Sequence, residues 1–327
     1  DSCISIDKNA VNADIRAYVT RQLANREDFK DKNLSKDLVE GIQKIVGDGA
    51  DGMFRWAACQ MDSLAACPSP RAIKETLERL PKDLPETYKR MLQSILPDLK
   101  PAATRLLQFL VHSQRPLTVP EAVEVIATEI GADSQHFDID RRVFDGTEIL
   151  RYCPGLVSIV EARDHRDTVR TELHLAHFSV KEFLETQANF MQQIASIVIT
   201  QTCLTYLTDI TGSHDEIKQS FPMARLAAQV WTSHAASVES TEDNVFEAIL
   251  VFLNKDFTFQ RWGHLHQADR SWDNDPGPPR ASMLYYACFG GLTRVAEELI
   301  SKGVNVNAQG GRYDNALQAA SSEGHDK

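Results

Sequence analysis

A pattern that repeats once at a fixed spacing constrains the end of this chain more than any other feature. Leu284, Ala287 and Gly291 recur as Leu317, Ala320 and Gly324, an offset of 33 in each case (284 to 317, 287 to 320, 291 to 324). Between the copies runs Gly291-Leu-Thr-Arg-Val-Ala-Glu-Glu-Leu-Ile-Ser-Lys-Gly303-Val-Asn-Val-Asn307. A short helix, a turn, a second helix and a glycine stop on this period form a unit that must stack on neighbours to bury its apolar face. Such a segment points to protein binding and away from an active site. The second copy breaks off at Lys327, so residues 280–327 are expected to be about one and a half repeats of a longer protein.

The rest of the chain has room for two or three domains, at 327 residues. No apolar run reaches the length of a membrane span, and residues 1–30 hold no signal-peptide core, so a cytoplasmic protein is expected. The net charge of −11 repels a phosphate backbone and sets nucleic acid at a disadvantage as a partner. Six cysteines at 3, 59, 67, 153, 203 and 288 are scattered without a Cys-x-x-Cys pair, which suits buried thiols in a reducing compartment better than a metal site.

Read in order, the chain is mainly α. Cys3–Ile6 has the composition of a strand end. Asn12–Leu23 is amphipathic, with Ile15, Tyr18, Val19 and Leu23 on one face and Asp14 expected in the first turn. Ser35–Val46 forms a second helix that the glycines from Gly47 to Gly52 are expected to break. A buried helix is expected from Met53 to Cys67, and prolines punctuate two more by residue 100. From 101 to 187 the order is a helix at Leu106–Val111, a short strand at Arg115–Thr118, a helix opened by the capping box Thr118-x-x-Glu121, a third helix at Asp145–Tyr152, and one hairpin. The hairpin pairs Leu156–Val160 with Thr168–Ala176 around a turn at Asp164–Asp167, and Ser179-x-x-Glu182 reads as a second capping box. That order is a winged helix. Residues 188–272 form a helical connector, and Asp273–Pro279 a linker.

Several stretches resemble the fungal NACHT–ankyrin proteins, relatives of the NOD-like (STAND) and heterokaryon-incompatibility receptors. Gly52-Met-Phe-Arg-Trp-Ala-Ala-Cys-Gln-Met-Asp-Ser-Leu64 is similar to the end of the NACHT module, assigned to 1–67. Leu80-Pro-Lys-Asp-Leu-Pro-Glu-Thr-Tyr-Lys-Arg-Met-Leu92 resembles the helical spacer, assigned to 68–100. Arg115-Pro-Leu-Thr118 and Leu175-Ala-His-Phe-Ser-Val-Lys-Glu-Phe-Leu184 resemble the winged helix labelled after GPI inositol-deacylase, and the 33-residue period is that of ankyrin repeats. The resemblance implies a nucleotide switch, yet no P-loop lies within the chain, so ATP or GTP is implied only for a longer parent.

One residue is carried over as a cofactor contact. His177 matches the winged-helix histidine that, in this receptor class, touches the diphosphate and holds the resting state. Its other reading is structural, as a cap or packing residue beside the wing. Arg141 and Arg142 precede the third helix, but Asp138, Asp140 and an acidic helix argue against DNA. His165, His174 and His177 lack metal-ligand spacing, and Cys153 beside Pro154 reads as buried, with no Gly-x-Ser-x-Gly elbow elsewhere. The Trp262–His266 stretch and Trp272 read as packing against the first repeat.

The expected function is therefore transmission without catalysis, coupling an upstream nucleotide switch to an ankyrin array that binds a protein partner. The alternatives are a plain ankyrin scaffold, indifferent to nucleotide, and a winged-helix nucleic-acid binder. No membrane contact is expected.

Overall fold

The computed structural model describes residues 8–131, 134–163 and 167–325. The expected strand end at Cys3–Ile6, His165 with most of its turn, and Lys327 lie outside the described residues. Among the described residues the chain is mainly helical with two small sheets, and it divides into two compact units, 1–94 with 177–183 and 95–176 with 184–327.

In the first unit the opening helix spans Lys8–Asn25 and fully buries Ile15 and Val19. It begins four residues before Asn12, so Asp14 is not in its first turn and does not meet the dipole as expected. The next helix, Lys36–Gly49, is capped by Ser35 and runs through Gly47 instead of breaking there. Gly47 faces the first helix so closely that a Cβ would lie 2.7 Å from Arg16 Cγ; its smallness serves helix packing. The break comes at Asp51 and Gly52, whose φ angles of 45° and 86° are left-handed. A short turn of helix at Glu27–Lys30, buried through Phe29, was not anticipated. Helix Phe54–Ala65 seats Trp56, Met61 and Leu64 in the core, and Trp56 Nε1 donates to the Pro81 carbonyl (2.9 Å). Pro70–Leu77 and Leu84–Ser94 complete the helices of this stretch.

The second unit opens with helix Lys100–His112, then strand β1 (Leu117–Thr118) and helix Val119–Ala127. The capping box is present: Glu121 N donates to Thr118 Oγ1 (3.3 Å) and Thr118 N to Glu121 Oε2 (2.8 Å). Arg105, buried, donates to the Val125 and Ile126 carbonyls at the far end of that helix (2.9 and 3.3 Å). Those carbonyls have no intrahelical donor, so the guanidinium satisfies them. Desolvation lowers its pKa to about 10.

Two expectations fail here. Besides the expected hairpin there is a second one, β2 (Thr128–Ile130) with β3 (Gln135–Phe137), paired antiparallel with Thr128 opposite Phe137. Its strands are too short to hold themselves. Phe137 N donates to Asp209 Oδ2 (2.8 Å), and the Phe137 ring meets Tyr206 edge-on at 4.8 Å. The expected third helix is a 3₁₀ helix, Gly146–Arg151, capped by Asp145 and with Ile149 alone buried. Six residues closed off by Pro154 favour the tighter turn. The wing itself is as expected: β4 (Val157–Arg163) pairs with β5 (Val169–Leu175), and β1 joins the other edge of β5.

The connector helices Gln192–Asp209, Ala224–Ala236 and Asp243–Asn254 surround Trp231, which is fully buried between Phe252 and Trp262. Trp262 meets Tyr286 edge-on (5.4 Å), so it does pack against the first repeat, whereas Trp272 is 62 % exposed with Arg312 above its ring. The 33-residue period recurs in local geometry. Ser282 and Asn315 cap equivalent helices, Met283–Phe289 and Ala316–Glu323, and Gly291 and Gly324 take φ of 69° and 76°. Burial does not repeat: Leu284 is 3 % exposed and Leu317 77 %.

Candidate functional site

His177 stands at the residue before helix Phe178–Glu185, the N-cap position, in the first unit. The helix forms because Val180, Phe183 and Leu184 share a buried face. Its first turn closes when Val180 N donates to the His177 carbonyl (3.0 Å). The imidazole supplies the cap, with Ser179 N donating to Nδ1 (3.2 Å). Ser179 is thus inside the helix, and the capping box expected at Ser179-x-x-Glu182 is not formed.

The tautomer follows from these bonds. Nδ1 already accepts an amide proton, so the neutral ring carries its own proton on Nε2. Ser179 Oγ, 2.7 Å from Nδ1, must then donate to it, and the Tyr88 hydroxyl donates to Ser179 Oγ (2.8 Å). Tyr88 is fully buried, with its ring tilted against Phe183 at 5.7 Å, and this fixes the start of the relay. Burial, and after it the positive charge of Arg55, hold His177 below the usual imidazole range, against the pull of Glu182. The ring is neutral near pH 7. Nε2–H engages no group among the described residues and is a fixed donor, suited to an oxygen of a phosphate or a carbonyl. Phe178 lies against the ring (4.3 Å) and is 70 % exposed.

The other candidates go elsewhere. His174 Nε2 bonds Glu172 (2.9 Å). Arg141 pairs with Glu129, and Arg142 is committed to Glu124, so neither guanidinium is spare for a phosphate backbone. Burial pushes the Cys153 thiol up to about 12, away from reactivity. No His, Cys, Asp and Glu cluster able to hold a metal occurs among the described residues. Sequence reasoning missed Tyr88, Ser179 and Arg55 as the surroundings of His177. Only the His-x-Ser spacing hinted at any of them.

Comparison with known proteins bears on the middle of the chain. Residues 88–195 match the family model described as GPI inositol-deacylase, winged helix domain, so this segment is a winged-helix domain of that type. Over 315 residues the chain is 31 % identical to "Azaphilone pigments biosynthesis cluster protein L" of Monascus ruber, covering 88 % of this chain. It spans 66 % of that relative's length. No solved structure matches.

Proposed function

We propose that this chain is a non-catalytic transmission segment of a cytoplasmic NACHT–ankyrin receptor, in which a nucleotide switch acts through the winged helix on an ankyrin array that binds a protein. The observation that carries this reading is the setting of His177: a neutral imidazole with Nδ1 saturated and Nε2–H open, beside the charge of Arg55. In a longer protein holding ATP or GTP, His177 would give one hydrogen bond to a phosphate oxygen, and the other phosphate contacts would come from outside this chain. The winged-helix match supports the middle module. The caps and left-handed glycines on a 33-residue period support ankyrin repeats behind it.

A transmission element must hold its downstream module firmly, and two buried carboxylates do so within the second unit. Glu239 accepts from the Arg294 and Val295 amides, and Asp269 from the Tyr285 hydroxyl and the Arg312 amide. The same clamps favour a second reading, an ankyrin scaffold indifferent to nucleotide. The test uses the longer protein that contains this segment, loaded with ADP. His177→Ala is expected to weaken ADP binding by about tenfold in calorimetry and to loosen the monomeric state in size-exclusion chromatography. Unchanged ADP affinity and unchanged size would sink the switch and leave the scaffold. Salt-sensitive binding to duplex DNA would instead support a nucleic-acid role.

A further inference from the structure

Between helices Lys100–His112, Gln192–Asp209 and Ala224–Ala236 lies a cavity of about 660 Å³ that none of the foregoing uses. Its volume is within the range of small-molecule sites. Phe109, Ile199 and Leu226, all buried, give it an apolar floor, and the exposed Gln114, Gln192 and Ser233 give it a polar mouth.

Three imidazoles, His112, His234 and His266, line the space between. His112 Nε2–H donates to the Phe190 carbonyl (2.7 Å). Gln192 donates to Ser196 Oγ (3.2 Å), which is also hydrogen-bonded to His234 Nδ1 (3.2 Å). His266 is 8 % exposed, and its Nδ1 has no hydrogen-bond partner. The cavity thus sets three imidazoles over an apolar floor, and one of them, His266, has a buried Nδ1 without a hydrogen-bond partner. A buried polar atom of this kind calls for a partner.

Charge decides the class of ligand. The lining holds no carboxylate to meet a cation, and its one cation, Arg115, already forks onto Glu121 (2.5 and 2.9 Å). His234 and His266 remain uncharged to about pH 4 because they are buried. His112 opposes the charging of His234 and Arg225 that of His266, against a weaker pull from Asp269. We propose that this cavity binds an uncharged, ring-sized organic molecule carrying carbonyl or hydroxyl groups, its apolar body on Phe109 and Leu226 and its polar groups on His112 and His234. The site is independent of the reading of His177.

The test titrates the whole chain with prodan, a neutral naphthyl ketone whose emission shifts to the blue when it leaves water. One saturable site per chain is expected. Ser233→Trp, an exposed mouth position, and Gln229→Trp, another lining residue, are each expected to weaken binding at least tenfold with melting curves unchanged. Glu247→Trp, on an exposed helix face outside the lining, is expected to leave it alone. Equal affinity in all three variants, or no saturable site, overturns the proposal. Tighter binding of the anion anilinonaphthalene sulfonate than of prodan, lost on Ser233→Trp, overturns the assignment to uncharged ligands.

Discussion

Arg142 closes on Glu124 through two hydrogen bonds of 2.6 and 3.0 Å, and the Tyr206 hydroxyl donates to the same carboxylate at 2.6 Å. The Glu124 side chain is 2 % exposed. The guanidinium also lies over the Phe137 and Phe221 rings, 5.6 and 5.5 Å from their centroids. The ion pair lies within the winged-helix segment and holds the second hairpin's aromatic in place, and the Tyr206 hydroxyl and the Ser220 carbonyl tie it to the connector. Removing one member of a buried pair strands the other without water, at a cost of about 3–5 kcal/mol. Arg142→Met is expected to lower stability by that order in urea unfolding followed at the tryptophans, and Tyr206→Phe by about 1–2 kcal/mol.

The His177 relay predicts a spectroscopic state. Nitrogen NMR should find the neutral ring protonated at Nε2, titrating below the usual imidazole range. Ser179→Ala keeps the amide bond to Nδ1, so the tautomer should persist while the fold loses about 1 kcal/mol from the stranded Tyr88 hydroxyl. An Nδ1–H ring in the native protein would contradict the relay.

Local signals were more legible than long-range ones in this chain, although the box at Ser179-x-x-Glu182 is displaced by the His177 cap. Thr118-x-x-Glu121 was readable because both partners of a capping box lie within one turn. The wing was readable because apolar alternation marks its two strands. The hairpin at Thr128–Phe137 was not, because Tyr206 and Asp209, 69 and 72 positions beyond Phe137 (206 − 137 and 209 − 137), hold it. Gly47 misled for the same reason: its neighbour across the helix pair, Arg16, lies 31 positions earlier, and a lone glycine reads as a breaker. His177 was found through a resemblance, but its partner Tyr88 comes from a helix 89 positions back. No spacing rule reaches that far.

Acid should weaken the connector, with a sign that follows from burial. His234 and His266 take a proton near pH 6.5 in the unfolded chain but only near about 4 when folded. Between those values the unfolded chain binds more protons, so stability falls as pH drops. The full contribution is present above about pH 6.5 and gone by about pH 4. Each residue accounts for at most on the order of 3 kcal/mol across that window. Melting temperature against pH should show the slope, and His234→Phe or His266→Phe should flatten part of it.

The Glu239 clamp makes a distinction between charge and hydrogen bonding measurable. Its carboxylate accepts from Arg294 N at 3.0 Å and Val295 N at 3.2 Å, the open amides at the start of helix Thr293–Ser301. Burial raises its pKa despite those amides, so ionised Glu239 is under strain from desolvation. The sign follows: a folded pKa above the unfolded one means that stability is lost as pH rises through it, and ionisation at neutral pH costs the fold something. Glu239→Gln removes the charge but leaves one acceptor oxygen for two amides that now use Oε1 and Oε2 separately, so near pH 7 it is expected to cost less than Glu239→Ala without being neutral. Glu239→Ala leaves two amides without an acceptor and should cost about 1–3 kcal/mol. Hydrogen exchange at Arg294 and Val295 reads the difference directly: slow at both in the native protein, slow at one of the two in Glu239→Gln, and at least tenfold faster at both in Glu239→Ala. If both amides exchanged in Glu239→Gln as fast as in Glu239→Ala, charge and not hydrogen bonding would be what holds the repeat to the connector.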